Sequence, residues 1–388
     1  MIIEKELRGL WVTSRPQLKI AYEATALLGA RTGVGEFCYG ALEALSRIQS
    51  LEVNAFAISF RSRHLLKSEL PNGAGFNDWI LPARPLHAMW GSCNFPNLEL
   101  WDTTIDVVHG TNFVVPPTRR AGKVVTVHDL TTVRFPELCD SATLIFPKMV
   151  QRAIDAGAFV HTPSQFVANE VIENFRVNPD KVVAIHHGIP RIDPETDLKN
   201  VQVRPLEGKK FVLALGTVEP RKDFPLLVRA FDEISREISD LILVIAGKDG
   251  WGTQSLTSAI ARAKSRSRII RLGYVSQSTR QWLLKNAAVF AYPSVYEGFG
   301  FPPLEAMTLG TPVVSTNSGA LEEVLSRDCA ILVESGDLDA LASGILQVVS
   351  NGSEAARLAH AGLEHVGRFS WDKCANGLAS LYRLAGGK

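Results

Sequence analysis

Residues 211–223, FVLALGTVEPRKD, open with five apolar residues, turn at Gly216, and end at Asp223, directly ahead of the helical pattern FPLLVRAFDEI. An unbroken apolar run of strand length that gives way to a helix start within a few residues is the βα unit of a parallel sheet, whose strands are covered on both faces. Asp223 suits the N-cap because its side-chain oxygen can accept from the free N–H groups of a first helical turn. Working outward, the same hand-over recurs at FVHTPS (159–164), where Ser164 precedes QFVANEVIENF, and at VFAYPS (289–294). Further strand-like runs are LKIAYEA, DVVHG, KVVTVHDL and KVVAIHHG before these, and LILVIAGK, RIIRLGYV, PVVST and AILVE after residue 211. Alternation of this kind predicts helices layered on parallel sheets.

The alternation breaks between residues 190 and 210, PRIDPETDLKNVQVRPLEGKK, where three prolines and many charges replace the apolar periodicity. That stretch reads as a linker. A chain of 388 residues exceeds what one core usually supports, at roughly 100–200 residues per domain. The reading is α/β, with two Rossmann-like, doubly wound parallel-sheet domains facing across a cleft. Their expected bounds are 1–192 for the first domain, 193–209 for the linker and 210–365 for the second. The segment 366–388 is expected as a helix packing back on the first domain. Past Ala330 three helical patterns follow, at about 337–350, 353–368 and 370–385.

Apolar residues make up 46% and charged residues 21% of the chain, as in ordinary globular domains. A net charge of +1 provides no field for nucleic-acid binding, so an anionic ligand must be held locally. Cys38, Cys93, Cys139, Cys329 and Cys374 are scattered and form no metal-ligand spacing, which fits reduced thiols in a cytoplasm. The opening MIIEKELRGL does not read as a secretory signal, and the longest apolar runs are strand-sized.

Arg221 and Lys222 lie in a strand-to-helix turn, where two cations beside a helix N-terminus favour phosphate, or where they are simply solvated. YEGFGFPPLEAMTLGTPVV (296–314) follows the next such strand, with Glu297 in its loop and Glu305 in its helix. Pro302 and Pro303 suit a first helical turn. Exposed backbone amides could hold a diphosphate there, and carboxylates could accept from sugar or ribose hydroxyls. Glu305 could equally complement the helix dipole. In the first half, GARTGVGEF places Gly29, Gly33 and Gly35 at a turn into a helix, and His128 ends a strand at the edge where crevice residues sit. His109, His161, His186 and His187 read as structural.

Arg221–Lys222, followed by the Glu297–Glu305 spacing inside EGFGFPPLEAMTLGTPVV, resembles the donor-site signature of retaining glycosyltransferase family 4, which has the GT-B fold. The resemblance is strongest from about Phe211 to Glu334. It implies that Arg221 and Lys222 bind the donor diphosphate, that Glu305 binds the ribose, and that Glu297 and His128 contact the donor sugar. It also implies a cradle from Gly33, Gly35, Gly216 and the backbone of Phe299, Gly300, Phe301, Pro302 and Leu304. NSGALEEV (317–324) departs from the family's glycine-pair pattern, so its role is open.

The expected activity is retaining hexosyl transfer, foremost mannose from GDP-mannose, with a UDP-sugar as the alternative donor and a glycan or lipid-linked acceptor. Epimerase, phosphorylase, glycoside hydrolase and silent scaffold are the rivals. No cofactor or metal is expected: Asp337-Leu338-Asp339 resembles a DxD metal motif but reads as an N-cap with a first-turn acid. Aromatics between Pro71 and Trp101, preceded by RSRHLLK, read as a packed loop or as a peripheral contact with the inner face of the plasma membrane.

Overall fold

The computed structural model describes residues 17–29, 32–141, 143–192 and 203–387. The opening decapeptide, Ala30 and Arg31 of the glycine turn, and residues 193–202 of the linker lie outside these.

Two sheets form, and every strand pairing in both is parallel. The first contains β1 (Leu18–Glu23), β2 (Leu51–Phe56), β3 (Gly75–Phe76), β4 (Val107–Gly110), β5 (Gly122–Thr126), β6 (Phe159–Thr162) and β7 (Val182–Ala184). Their order is β3-β2-β1-β4-β5-β6-β7. The second contains β8 (Phe211–Leu215), β9 (Ile242–Ala246), β10 (Ile269–Gly273), β11 (Val289–Tyr292), β12 (Val313–Thr316) and β13 (Ala330–Val333). Its order is β10-β9-β8-β11-β12-β13.

β2 and β3 add to the strands read from the sequence. In β2, Glu52 and Asn54 interrupt the apolar residues, and both are half-buried; β3 is a two-residue edge. The deciding strand β8 shows why unbroken apolar runs are needed. Phe211, Leu213 and Leu215 bury into one core while Val212 and Ala214 bury into the core on the opposite face. One polar substitution in it would desolvate a group with no partner.

Strand order reverses between β1 and β4 in one sheet and between β8 and β11 in the other. In open parallel sheets the crevice past the carboxyl ends of such neighbours is where ligands bind. The second reversal brings residues 216–223 beside residues 293–300, which joins the two motifs singled out above.

Ser164, Asp223 and Asp337 each cap a helix, accepting from Val167, Leu226 and Ala340 N–H respectively. Helices follow at Leu338–Ser350, Gly352–Val366 and Trp371–Ala385. The last packs on the first sheet, where Cys374, Leu378 and Tyr382 join Tyr22, Phe37 and Leu42. Glycine is required where it arrives, because a Cβ at Gly40 would lie 2.2 Å from the Trp371 ring and one at Gly188 would lie 2.3 Å from the Trp371 backbone nitrogen.

Trp90 is fully buried and donates to the Pro96 carbonyl at 3.0 Å, and Trp79 packs on Phe56, while Phe95 stays exposed. Among the described residues no helix is long and apolar enough to cross a membrane.

Candidate active site

Four donors converge on one oxygen, Glu297 Oε1. Lys222 Nζ lies at 2.5 Å, Ser294 Oγ at 2.6 Å, Arg221 NH1 at 2.7 Å and Tyr292 OH at 2.8 Å. The geometry follows from the switch point: Arg221 and Lys222 leave β8, Tyr292 ends β11, and Ser294 and Glu297 sit in the loop after it. Arg221 also pairs with Glu219 at 3.1 Å and donates to the Tyr296 carbonyl at 3.2 Å. Lys222 Nζ stands 4.7 Å from the Tyr292 ring centroid.

Burial alone would raise the Glu297 carboxyl, but Arg221 and Lys222 outweigh it and push the carboxyl down to about 2. Burial opposes the Arg221 charge too, and Glu297 with Glu219 more than restores it. For Lys222 burial and the adjacent Arg221 prevail, so its ammonium is lowered. The outcome is a compact cationic pair whose fixed counter-charges are the central Glu297 carboxylate and, on Arg221, Glu219. A di-anionic group arriving here would find donors already oriented, which is the condition for stabilising a leaving phosphate.

Gly216 is in the left-handed half of backbone space at φ 150°, and Lys222 Cε lies 3.6 Å from where its Cβ would be. The helix Phe301–Thr308 begins after Gly300, at φ 98°, with prolines in its first turn, so the amides of Phe299, Gly300 and Phe301 precede a helix N-terminus. Leu304 and Glu305 are buried in that helix. Glu305 ion-pairs with Arg280 of the helix Gln277–Asn286. Pro190, Arg191, Gln277 and Gln281 line a small hollow beside them.

NSGALEEV now has a place. Gly319 passes so close to Glu297 that a Cβ would meet its carbonyl oxygen at 2.4 Å, and Ala320 N–H donates to that oxygen at 2.8 Å. Glu323 reaches the other half.

On the first half's side, the helix Gly33–Leu45 starts at the turn after β1, and Gly33 faces Phe301, whose ring would stand 3.5 Å from a Cβ there. Gly35 is buried in the first turn of that helix. His128 Nε2 approaches the Thr111 carbonyl at 2.8 Å. A carbonyl only accepts, so Nε2 carries the proton and Nδ1 of the neutral ring is left as an acceptor. Burial lowers its pKa, which favours that neutral form.

Behind His128 lies a chain of buried neutral groups. His161 Nε2 donates to the Ile185 carbonyl at 3.1 Å, so His161 Nδ1 accepts from Thr126 Oγ1 at 2.9 Å. Thr126 then accepts from His109 Nε2 at 2.8 Å, and His109 Nδ1 accepts from Tyr382 OH at 2.7 Å. One carbonyl thus orders every proton in the chain. His187 stands apart from it, buried among Phe37, Phe299 and Phe301 with ring separations of 4.3–5.6 Å.

Arg221, Lys222, Glu297 and Gly216 are therefore brought together at one switch point, and His128 with Gly33 and Gly35 lines the other. Tyr292, Ser294, Glu219 and Arg280 escaped the sequence reading. Tyr292 and Ser294 stood inside the strand-and-loop segment VFAYPS, where register against β8 was the missing information. Asp337 caps its helix, and among the described residues no group of three or more His, Cys, Asp or Glu is disposed to hold a metal.

The family model described as Glycosyltransferase Family 4 matches residues 32–191, and the one described as Glycosyl transferases group 1 matches residues 196–365. The O-antigen chain mannosyltransferase B of Escherichia coli is 32% identical over 299 residues, which is 74% of this chain and 78% of that protein. HepE from Anabaena, solved with UDP and glucose, aligns with a TM-score of 0.70 at 18% identity, covering 94% of this chain and 99% of that one. Sucrose-phosphate synthase from Thermosynechococcus elongatus aligns with a TM-score of 0.70 at 18% identity, covering 95% and 99%.

Proposed function

From a chain that belongs to glycosyltransferase family 4 and has the GT-B fold, we propose an enzyme that moves mannose from GDP-mannose to a glycan or lipid-linked acceptor with retention of configuration. The observation that carries this reading is the convergence of Arg221 and Lys222 on Glu297 at the crevice between β8 and β11.

Arg221 and Lys222 would take the donor diphosphate, with the amides of Phe299, Gly300, Phe301 and Leu304 completing the cradle beside Pro302. Gly216, Gly33 and Gly35 would allow close backbone approach. Glu305 would accept from the ribose hydroxyls, with Arg280 keeping its carboxylate in place. Glu297 Oε1 is fully occupied, so its second oxygen would accept from sugar hydroxyls. His128 Nδ1 would accept another.

As the sugar–phosphate bond breaks, the electron pair passes to the diphosphate, where the two cations stabilise it. The acceptor hydroxyl then attacks the oxocarbenium-like carbon on the face just vacated, and its proton leaves with the departing phosphate. This scheme requires no side-chain nucleophile and no metal. Seating the two halves against each other excludes water, which would otherwise compete as acceptor.

A UDP-sugar is the second reading, supported by the likeness in fold to a protein solved with UDP and glucose. A lipid-linked acceptor at a membrane face is supported by the exposed Phe60, Leu65 and Ile80 beside Arg61 and Arg63.

Calorimetry and thermal shift with GDP, UDP, ADP and their sugar conjugates, with and without EDTA, test the reading. Stabilisation by GDP and GDP-mannose, unchanged by EDTA, is expected, with an α-to-α product by NMR. Stabilisation by UDP alone would replace the donor, and binding of no nucleotide would favour the hydrolase or scaffold readings.

A further inference from the structure

The loop that carries Glu297 makes contacts in two directions. Tyr296, immediately before it, receives Arg221 on its carbonyl oxygen at 3.2 Å. Its ring points into the other half, where the hydroxyl accepts from Leu130 N–H at 2.9 Å and donates to Glu170 Oε2 at 2.5 Å. Leu130 is two residues past His128, and Glu170 lies on the helix Gln165–Asn174 with Arg134 bonded to its other oxygen at 2.8 Å. Both Tyr296 and Glu170 are about 4% exposed, so these bonds are made in a dry seam.

Gly298, immediately after Glu297, seats the loop as closely as a backbone allows. A Cβ there would lie 1.9 Å from the His128 carbonyl oxygen and 2.9 Å from Asp129 Cβ. Its own carbonyl accepts from Ser164 Oγ at 2.9 Å, at the cap of the same 165–174 helix. Glu323 closes the seam by accepting from Gln165 and Phe166 N–H at 2.9 and 2.8 Å and from His186 Nε2 at 2.8 Å.

We infer that Tyr296 and Gly298 are positioning residues, which set the spacing between His128 on one half and the Arg221–Lys222–Glu297 cluster on the other, with the N-terminus of the 165–174 helix as the strut. The cluster's own bonds lie within the second half and do not require the seam. His128 belongs to the first half. The seam joins the two most directly, because Tyr296 and Gly298 flank Glu297 and meet the segment 128–130, so it governs whether the sugar and its leaving diphosphate are gripped at once. This rests on the donor-site reading above, with the seam as an addition to it.

Two variants test the inference. Tyr296→Phe keeps the ring and removes both hydroxyl bonds. Because it strands the Leu130 N–H and the Glu170 carboxylate and can cost stability, Gly298→Ala is the second variant: it deletes no polar group, and the three atoms its Cβ meets most closely all belong to the other half. For each, calorimetry gives the affinity for the nucleoside diphosphate that the wild type binds, steady-state assays separate kcat from KM, and X-ray scattering reports the separation of the halves.

The expected result is nucleotide affinity within about threefold of wild type, kcat lower by about 10- to 100-fold, and a more expanded molecule in scattering. Wild-type kcat in both variants, or a fall in nucleotide affinity as large as the fall in kcat, would overturn it. If the wild type binds no nucleoside diphosphate, the donor reading fails and scattering alone decides. Expansion of both variants then sustains the seam, and unchanged profiles refute it.

Discussion

The two halves share a strand order at their switch points and bury polar groups past the same carboxyl edges, yet they do so in opposite ways. In the second half, charges are buried and neutralised by each other, with Arg221 paired to Glu219 and Glu297 and Lys222 paired to Glu297. In the first half the row Tyr382–His109–Thr126–His161 is neutral, and its proton order is set by one carbonyl. A charged cluster can meet an incoming anion because Arg221 and Lys222 are cations that can share their N–H groups with it. The neutral chain has every donor committed, which suits a fixed wall. Chemistry that builds negative charge belongs on the first kind of surface.

The largest effect that would break this contrast is on catalysis. Lys222→Ala is expected to lower kcat/KM of transfer by about 10²–10³-fold and to weaken nucleotide binding, both read by assay and calorimetry. Its stability loss should stay below the about 3–5 kcal/mol typical of a halved buried pair, because Arg221 remains on the same Glu297 oxygen. Wild-type activity in this variant would make the charged cluster as passive as the histidine chain.

Acid separates the halves next. Burial holds His161 at about 3 and puts His109 and His187 well below the ordinary 6.5. The folded state therefore binds fewer protons than the unfolded one below pH 6.5, and stability falls as pH drops toward 3, by about 1.4 kcal/mol per pH unit for each such histidine. Glu297, held at about 2 against an ordinary 4.5, contributes fully above 4.5 and loses its contribution only as pH falls from there toward 2. Between pH 6.5 and 4.5 the loss should thus come from the histidines. Urea unfolding across that window, with hydrogen exchange locating the change in β4–β6 rather than β8 and β11, checks it. Equal loosening of both sheets would erase the distinction.

The smallest effect concerns Asp337, whose side chain accepts from Ala340 N–H at 2.9 Å. Asp337→Ala should cost about 0.5–2 kcal/mol in denaturant unfolding and leave transfer unchanged with or without EDTA. A metal-dependent loss of activity would instead make Asp337 part of a third kind of polar site.

Much of the charged half was legible in the sequence and little of the neutral half was. Arg221, Lys222, Glu297 and Glu305 each have an ordinary structural use when taken singly, as solvated charges or as complements to a helix dipole, and it is their order and spacing in the family's donor-site signature that singles them out. Their partners Tyr292 and Ser294 could not be told from other residues of a buried strand, since what recruits them is register between β8 and β11, two strands 74 residues apart at Leu215 and Val289. The histidines are less legible still. His109 and His161 lie on β4 and β6, on either side of Thr126 at the end of β5, and nothing local marks three neighbouring strands as one hydrogen-bonded row. NSGALEEV was opaque because its task is steric: Gly319 is there for the Glu297 carbonyl, and Glu323 for a helix in the other half.

Gly188 and Trp371 have a mechanical meaning as well. The chain leaves the first sheet past Gly188 and comes back to it at Trp371, and the two stretches touch. Had those passages been far apart, they would define an axle and allow one rotation only. Gathered at one place they tie the halves at a point, which fixes no axis between them. His187, ringed by Phe37, Phe299 and Trp371, sits at that pivot. Were the halves to open about that point, a spectroscopic reporter placed there would change less than reporters elsewhere on the seam.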